Sequence, residues 1–290
     1  MSDPPSKAGP ERTASGSSFR TLAFALALLG IGLVVGTFLN RGWGDADKVT
    51  PSSFFNDEFA VREDGDFGRE NLNVLEDSKF GHILRVNYPK DSASPSLNKE
   101  EGAPVGGAQL YLQPLKGVPA DRLHLRYYVR FPEDFDFVKG GKLPGLYGGT
   151  VTGGRRSPDG TDGFSTRLMW RRDGVGEVYA YLATSEEEGT SLGRGSWSFQ
   201  PGRWHLIEQE VSLNRPDSRD GSIRVWLDNR EVLNETNLQF RTTKKLKIEG
   251  VFFSTFFGGR DSSWATPKDT SVDFAGFKVG SDYLGALSNR

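Results

Sequence analysis

The chain has 290 residues, a length that allows one domain or two. It contains no cysteine, so its fold needs no disulfide, and its formal net charge of −2 indicates no overall preference for a polyanion. The 36 glycines, the aromatic content of 12% and many short alternating runs favour an all-β domain.

The N-terminal part of the chain differs in composition from the rest. Residues 1–20 are rich in Ser, Pro and Gly and are predicted to form a disordered cytoplasmic tail. Residues 21–39 carry no charge, and as a helix they would span roughly 28 Å, about the hydrocarbon thickness of a bilayer. They are predicted to be a transmembrane anchor, and Lys7, Arg12 and Arg20 before it place the following domain on the non-cytoplasmic side, periplasmic or extracellular. A cleaved signal peptide, which would make the protein secreted, is the alternative.

The folded domain is predicted to cover residues 53–290, after a tether at residues 40–52. Alternating apolar and polar residues between turn residues predict strands at 54–62, 82–88, 110–113, 123–131, 164–170, 177–182, 204–213, 223–227, 231–233, 250–257 and 270–279. Residues 89–105 and 258–270 are predicted to be loops, and no helix is predicted after residue 39. Many short strands at this spacing predict a sandwich of two sheets.

A basic segment at residues 139–172 begins the candidate site. It holds seven Lys or Arg against two Asp, a local charge of +5 in a chain that is slightly acidic overall. Such a local field suits an anionic ligand, although charged side chains on an exposed sheet face can also be merely solvated. Lys142 lies in a glycine-rich run at 140–145, which is predicted to be a loop that brings this lysine to the site.

Two predicted strands follow this loop and would pair as a hairpin. Side chains alternate between faces along a strand, so Ser165 and Arg167 share one face of the first strand. Glu177, Tyr179 and Tyr181 share one face of the second strand. A hairpin would place both sets on one surface beside the lysine. These residues could instead have purely structural roles: Arg167 could form an ion pair with Glu177, and the tyrosines could simply pack on the sheet.

Several runs in the chain resemble polysaccharide lyase family 14, which includes alginate and glucuronan lyases. These runs are GGAQLYLQP at 106–114, LRYYVRFP at 125–132, FPEDFDFVKGGKLPGLYGG at 131–149, GFSTRLMWR at 163–171 and GEVYAYL at 176–182. Matched residue by residue, the family's motifs imply a catalytic set of Lys142, Ser165, Arg167, Tyr179 and Tyr181. The resemblance also implies a jelly-roll of two antiparallel sheets, with the substrate on the concave face.

The resemblance implies an enzyme that cleaves a polyuronate by β-elimination. Lys142 and Arg167 would neutralise the uronate carboxylate, which stabilises the negative charge that develops as the C5 proton leaves. Ser165 would donate a hydrogen bond to that carboxylate or orient Arg167. Tyr179 and Tyr181 would divide the roles of base and acid, because nearby cations favour the phenolate.

Residues outside this set are predicted to extend the site. Arg126, Tyr128 and Arg130 share one face of the predicted strand at 123–131 and are predicted to bind substrate, with a merely solvent-facing polar surface as the alternative. Glu177 is predicted to bind substrate as well. The expected partners are therefore an acidic polysaccharide and, through the N-terminal segment, a membrane.

Other chemistries fit the sequence less well. The three histidines, His82, His124 and His205, are scattered without HxH or HExxH spacing, so no metal is expected. No nucleotide-binding motif occurs, and neither a cofactor nor a nucleic-acid partner is expected. A non-catalytic module that binds an acidic glycan at the cell surface is the alternative to a lyase, and a membrane-tethered structural protein is a weaker one. The polymer and the oligomeric state are left open.

Overall fold

The computed structural model describes residues 50–288, except for residues 52, 56, 63, 155 and 186–188. The predicted tail and anchor, and most of the predicted tether, lie outside the described residues, so the anchor stays a prediction. Within the described part of the chain, no helix is long and apolar enough to cross a bilayer.

The described residues form two antiparallel sheets of seven strands each. In chain order the strands are β1 (Phe59–Val61), β2 (Leu72–Asp77), β3 (Gly81–Tyr88), β4 (Ala108–Pro114), β5 (Arg122–Arg130), β6 (Gly140–Gly149), β7 (Gly163–Arg171), β8 (Gly176–Tyr181), β9 (Thr190–Leu192), β10 (Trp204–Ser212), β11 (Gly221–Leu227), β12 (Arg230–Leu238), β13 (Gly250–Thr255) and β14 (Thr270–Gly280). Sheet A has the order β1-β4-β13-β6-β7-β8-β9, and sheet B has the order β12-β11-β10-β5-β14-β3-β2. The predicted all-β sandwich of two antiparallel sheets is confirmed.

The sandwich forms because each central strand has one apolar face. Alternate residues of β5 and its C-terminal end are buried between the sheets, as predicted: Leu123, Leu125, Tyr127, Val129 and Phe131. The centre of the core is aromatic, with the Trp170 ring 5.6 Å from that of Phe131 and 5.4 Å from that of Phe257. Each such ring removes roughly 150–250 Å² from water, which makes these contacts a main source of stability.

A short helix corrects one prediction. The helix α1 (Pro95–Glu101) lies inside the segment that the sequence predicts as a loop, so the prediction of no helix after residue 39 is wrong. Its ends carry ordinary signals, with Pro95 at the first turn and Gly102 in the left-handed conformation at a φ of 70°. Seven residues are too few to show a helical period in the sequence. Single turns of 3₁₀ helix occur at Ser53–Phe55, Arg69–Asn71, Arg172–Gly174 and Ser262–Trp264.

Candidate active site

A groove of about 1410 Å³ runs along the face of sheet A that points away from the core. Its floor is formed by β6, β7 and β8, and its walls include α1 and the loops around residues 150–154 and 256–264. A pocket for one small ligand has a volume of roughly 300–1,000 Å³. The groove therefore has room for a ligand longer than a single sugar.

Lys142 reaches the groove because β6 contains a bulge. In the pairing of β6 with β7, the register shifts around Pro144, which is the extra residue. Because of that shift, Leu143 and Leu146, three positions apart, are both fully buried in the core. Lys142 therefore points to the groove from within a strand, and the prediction that it lies in a loop is wrong.

A buried glutamine from sheet B holds this bulge in place. Gln209 on β10 accepts hydrogen bonds from the backbone N–H of Leu146 at 3.0 Å and from the hydroxyl of Thr166 at 3.0 Å, and it donates to the Thr166 carbonyl at 2.7 Å. The Tyr127 hydroxyl, also from sheet B, donates to the Pro144 carbonyl at 3.0 Å. These bonds tie the two sheets together beneath the groove, which limits how far its floor can shift.

Lys142 and Tyr179 are in direct contact on the groove floor. The Lys142 Nζ lies 3.5 Å from the centroid of the Tyr179 ring and 2.8 Å from the Met169 Sδ. Lys142 is only 9% exposed, whereas Tyr179 is half-buried and lines the groove. An ammonium over the face of an aromatic ring is a favourable cation–π contact, which holds these two side chains together on the groove floor.

Arg167 is a buried cation in the same floor. It is 4% exposed, donates from Nη1 to the Ser254 hydroxyl at 3.1 Å, and has its Cζ 4.7 Å from the Phe252 ring centroid. Burial lowers the pKa of Arg167 below its usual value, and the phenols around it, Tyr181 first among them, oppose that effect only in part. Among the described residues no carboxylate pairs with it, and its Nε has no hydrogen-bond partner. A buried charge without a counter-charge is unfavourable, so this position is suited to an anionic ligand.

Ser165 and Tyr181 hold the groove wall formed by residues 150–154. Ser165 is fully buried, and its hydroxyl donates to the Thr152 carbonyl at 2.5 Å. The Tyr181 hydroxyl donates to the Gly154 carbonyl at 2.9 Å, while its ring packs edge-on against Tyr179 at 5.7 Å. The structure thus brings both residues to the site but directs their hydroxyls to the wall.

Glu177 lies on the groove face of β8, but its side chain is fully buried and does not line the groove. Its Oε1 accepts hydrogen bonds from Nε and Nη2 of Arg171 at 2.9 and 2.5 Å and from the Ser191 hydroxyl at 3.2 Å. The alternative pairing with Arg167 does not form, because the strand register places Arg167 opposite Tyr179. A substrate in the groove does not reach this carboxylate, so the position of Glu177 does not support the prediction that it binds substrate directly.

Arg126, Tyr128 and Arg130 lie on β5 in sheet B, on the face that points away from the core, so the whole sandwich separates them from the groove. Arg130 forms an ion pair with Asp273 at 2.8 Å, and the Tyr128 hydroxyl accepts a hydrogen bond from the backbone N–H of Leu287. The structure does not bring these three residues to the groove, so their positions do not support the predicted role in extending the site. Alternation showed that they share a face, but not which sheet that face belongs to.

Two further groove residues were not among the predicted set. Arg171 ends β7 on the same face as Arg167, so alternation along that strand could have found it. Trp264 lines the groove from the loop after β13. No local pattern in the sequence connects this loop with the strands that form the floor.

Comparisons with known proteins point to one family. The family model for polysaccharide lyase 14 matches residues 76–277. The crystal structure of the marine PL-14 alginate lyase from Aplysia kurodai is similar to this chain, with a TM-score of 0.69 and 31% identity over 81% of this chain and 95% of that one.

Two other solved structures share the fold at lower identity. An alginate lyase from Chlorella virus has a TM-score of 0.63 at 22% identity, covering 73% of this chain and 89% of that one. The endo-β-1,4-glucuronan lyase from the fungus Trichoderma reesei has a TM-score of 0.50 at 13% identity, covering 77% and 90%. A comparison with curated proteins gave no match.

Proposed function

The chain belongs to polysaccharide lyase family 14, and we propose that it cleaves a polyuronate, alginate or glucuronan, by β-elimination. The similar structure from Aplysia kurodai, an alginate lyase at 31% identity, supports alginate as the first polymer to test. The geometry of the groove supports the same class of substrate, because its floor presents cations to a ligand that is longer than one sugar.

The observation that carries this proposal is the isolated charge of Arg167. Among the described residues this buried guanidinium has no carboxylate partner. A uronate carboxylate bound in the groove would supply the missing anion and could accept two parallel hydrogen bonds from the guanidinium. Neutral sugars would leave the charge uncompensated, which is unfavourable at a buried position.

The proposed reaction begins with the removal of the C5 proton of the bound uronate. The electron pair of the broken C5–H bond forms a double bond between C4 and C5. The C4–O4 bond breaks at the same time, and the leaving O4 takes up a proton. Negative charge builds on the carboxylate as the C5 proton leaves. Arg167 and Lys142, which line the same groove, stabilise that charge, and fixed cations of this kind typically contribute several kcal/mol to lowering a barrier.

Tyr179 is the proposed proton carrier. It is half-buried, lines the groove and lies in contact with Lys142, whose Nζ is 3.5 Å from its ring centroid. In glucuronate and mannuronate the C5 hydrogen and O4 lie on the same side, so one tyrosine can serve both ends of the reaction. Tyr181 and Ser165 have a structural role in this proposal. Their hydroxyls donate hydrogen bonds to backbone carbonyls of the groove wall at residues 150–154, which holds that wall beside Tyr179.

The experiment that tests the proposal uses the purified full-length protein with alginate, polymannuronate, polyguluronate and glucuronan. The expected result is a rise in ultraviolet absorbance from the unsaturated uronate that β-elimination leaves at the new chain end. Arg172→Ala is the matched control, since this neighbouring arginine is exposed and does not line the groove. Binding of one of these polymers over a wide pH range, without any unsaturated product, would instead support a non-catalytic glycan-binding module.

A further inference from the structure

The groove also carries, at the end of β7, a further cation whose position is tightly held. Arg171 is 11% exposed and lines the groove, and its Nε and Nη2 both donate to the same oxygen of the buried Glu177. This arrangement occupies one edge of the guanidinium and orients its remaining edge, at Nη1. A second arginine, Arg194, lies 3.7 Å from the other oxygen of Glu177. Two arginines therefore share one carboxylate, and the group keeps a positive charge.

An aromatic side chain lies beside this cation. The Cζ of Arg171 is 5.9 Å from the ring centroid of Trp264, and the Nζ of Lys139 is also 5.9 Å from that ring. The ring packs directly on the backbone of Gly259, where even a Cβ atom would come within 2.1 Å of it. Lys139 also donates a hydrogen bond to the Ser263 hydroxyl, next to the tryptophan. The Trp264 ring is thus a fixed, partly exposed surface between two cations.

This cation cannot serve the same sugar carboxylate as Arg167. The two arginines are four residues apart on one face of β7, which is roughly 13 Å along an extended strand. The cross-strand pair of Lys142 on β6 and Met169 on β7 lies between the two arginines. A single carboxylate bound to Arg167 is therefore out of reach of Arg171, whereas a neighbouring unit of the same polymer is not.

We infer that Arg171 and Trp264 form a second uronate subsite, which holds a different sugar unit from the one bound at Arg167, and that Glu177 positions Arg171 for it. The open edge of Arg171 binds the carboxylate or a hydroxyl of that unit, and the flat Trp264 ring packs against the sugar. Glu177 does not touch the substrate in this arrangement and acts only through the arginine. The inference rests on the proposed function of the groove.

The test combines kinetics with binding for Arg171→Lys, Trp264→Ala, Glu177→Gln and the control Arg172→Ala. Lysine keeps a charge opposite the buried Glu177, which protects the fold, but it loses the forked geometry. For cleavage of the polymer we expect KM to rise roughly tenfold or more in the first three variants, with kcat changed less than about threefold. The same variants should differ little from wild type on the shortest oligouronate that is cleaved, because that substrate does not reach the subsite.

Calorimetric binding of saturated oligouronates, in a Tyr179→Phe background that does not turn them over, separates this subsite from the proposed reaction. Weaker binding in Arg171→Lys, with or without cleavage by the wild-type protein, supports the subsite. If the wild type cleaves the polymer, but KM and binding are unchanged in Arg171→Lys and Trp264→Ala, the subsite is overturned. The proposed function then still stands. A melting temperature that falls sharply in Glu177→Gln, with KM unchanged, makes Glu177 structural and overturns its positioning role. Absence of both binding and cleavage in the wild type overturns both proposals.

Discussion

Replacing Arg167 by methionine separates a role in the reaction from a role in stability. Methionine is of similar length, fills the same space without a charge, and cannot neutralise a carboxylate. If Arg167 stabilises the charge that develops on the uronate, turnover should fall by roughly 10²–10³-fold, the effect of removing one preorganised donor from an active site.

The change in stability follows from three contributions that oppose one another. Removing an uncompensated buried charge stabilises the fold by about 1–4 kcal/mol, by analogy with buried ion pairs replaced by apolar residues. The lost hydrogen bond to Ser254 costs about 1 kcal/mol. The lost contact with the Phe252 ring, 4.7 Å away, costs about 1–2 kcal/mol. These contributions nearly cancel, so the melting temperature should change by no more than a few degrees.

Absorbance kinetics on the polymer and thermal unfolding of the same preparations measure the two effects. Arg172→Met is the matched control, because this arginine is exposed and lies outside the groove, and it should change neither quantity. A large loss of stability together with near-normal activity per folded molecule would show that Arg167 is a structural residue, and the argument from its unpaired charge would then be wrong.

Three further predictions concern other parts of the domain. Tyr179→Phe should lose roughly 100-fold or more in turnover at an unchanged melting temperature, and wild-type turnover should rise on the alkaline side of neutrality; an active phenylalanine variant, or a profile that falls steadily above neutrality, excludes the tyrosine mechanism. Burial would raise the pKa of Asp121, but hydrogen bonds from a lysine and an arginine outweigh it and hold the pKa below 3.8. This carboxylate therefore contributes stability above that pH and loses it as the pH falls through the folded-state pKa. Thermal unfolding should accordingly show that Asp121→Asn is about 0.5–1 kcal/mol less stable than wild type at pH 7, and that this difference shrinks below pH 4. A difference that grows as the pH falls would show that the Asp121 carboxylate does not stabilise the fold in this way. Removing residues 282–290 takes away two backbone N–H groups that donate to the buried Glu208 carboxylate at 2.8 Å each, so denaturant unfolding should show a loss of roughly 3 kcal/mol, while unchanged stability would mean that these bonds contribute nothing.

The alternation of side chains along single strands was predictable from the sequence. Ser165 and Arg167 share the groove face of β7, and Tyr179 and Tyr181 share that of β8, as the period of two required. The hairpin between these strands was also predictable, because only a short turn joins them. These features depend on local sterics and on chain neighbours, both of which are present in the sequence itself.

Pairing between distant strands was not predictable in the same way. Arg126 and Arg130 alternate as regularly as the groove residues do, yet β5 belongs to the other sheet. Glu177 has Arg171 as its partner, and not Arg167, because the register of β7 and β8 sets which side chains meet. Trp264 reaches the groove from a loop that is distant in sequence.

The sequence by itself determined the class of fold, the faces of the strands and, through five short motifs, the family. The tertiary structure alone decided that Lys142 faces the groove. The bulge at Pro144 that turns it there is held by Gln209 from the opposite sheet. A period of two is a property of one strand, whereas a bulge is stable only where partners from another sheet satisfy its displaced backbone groups.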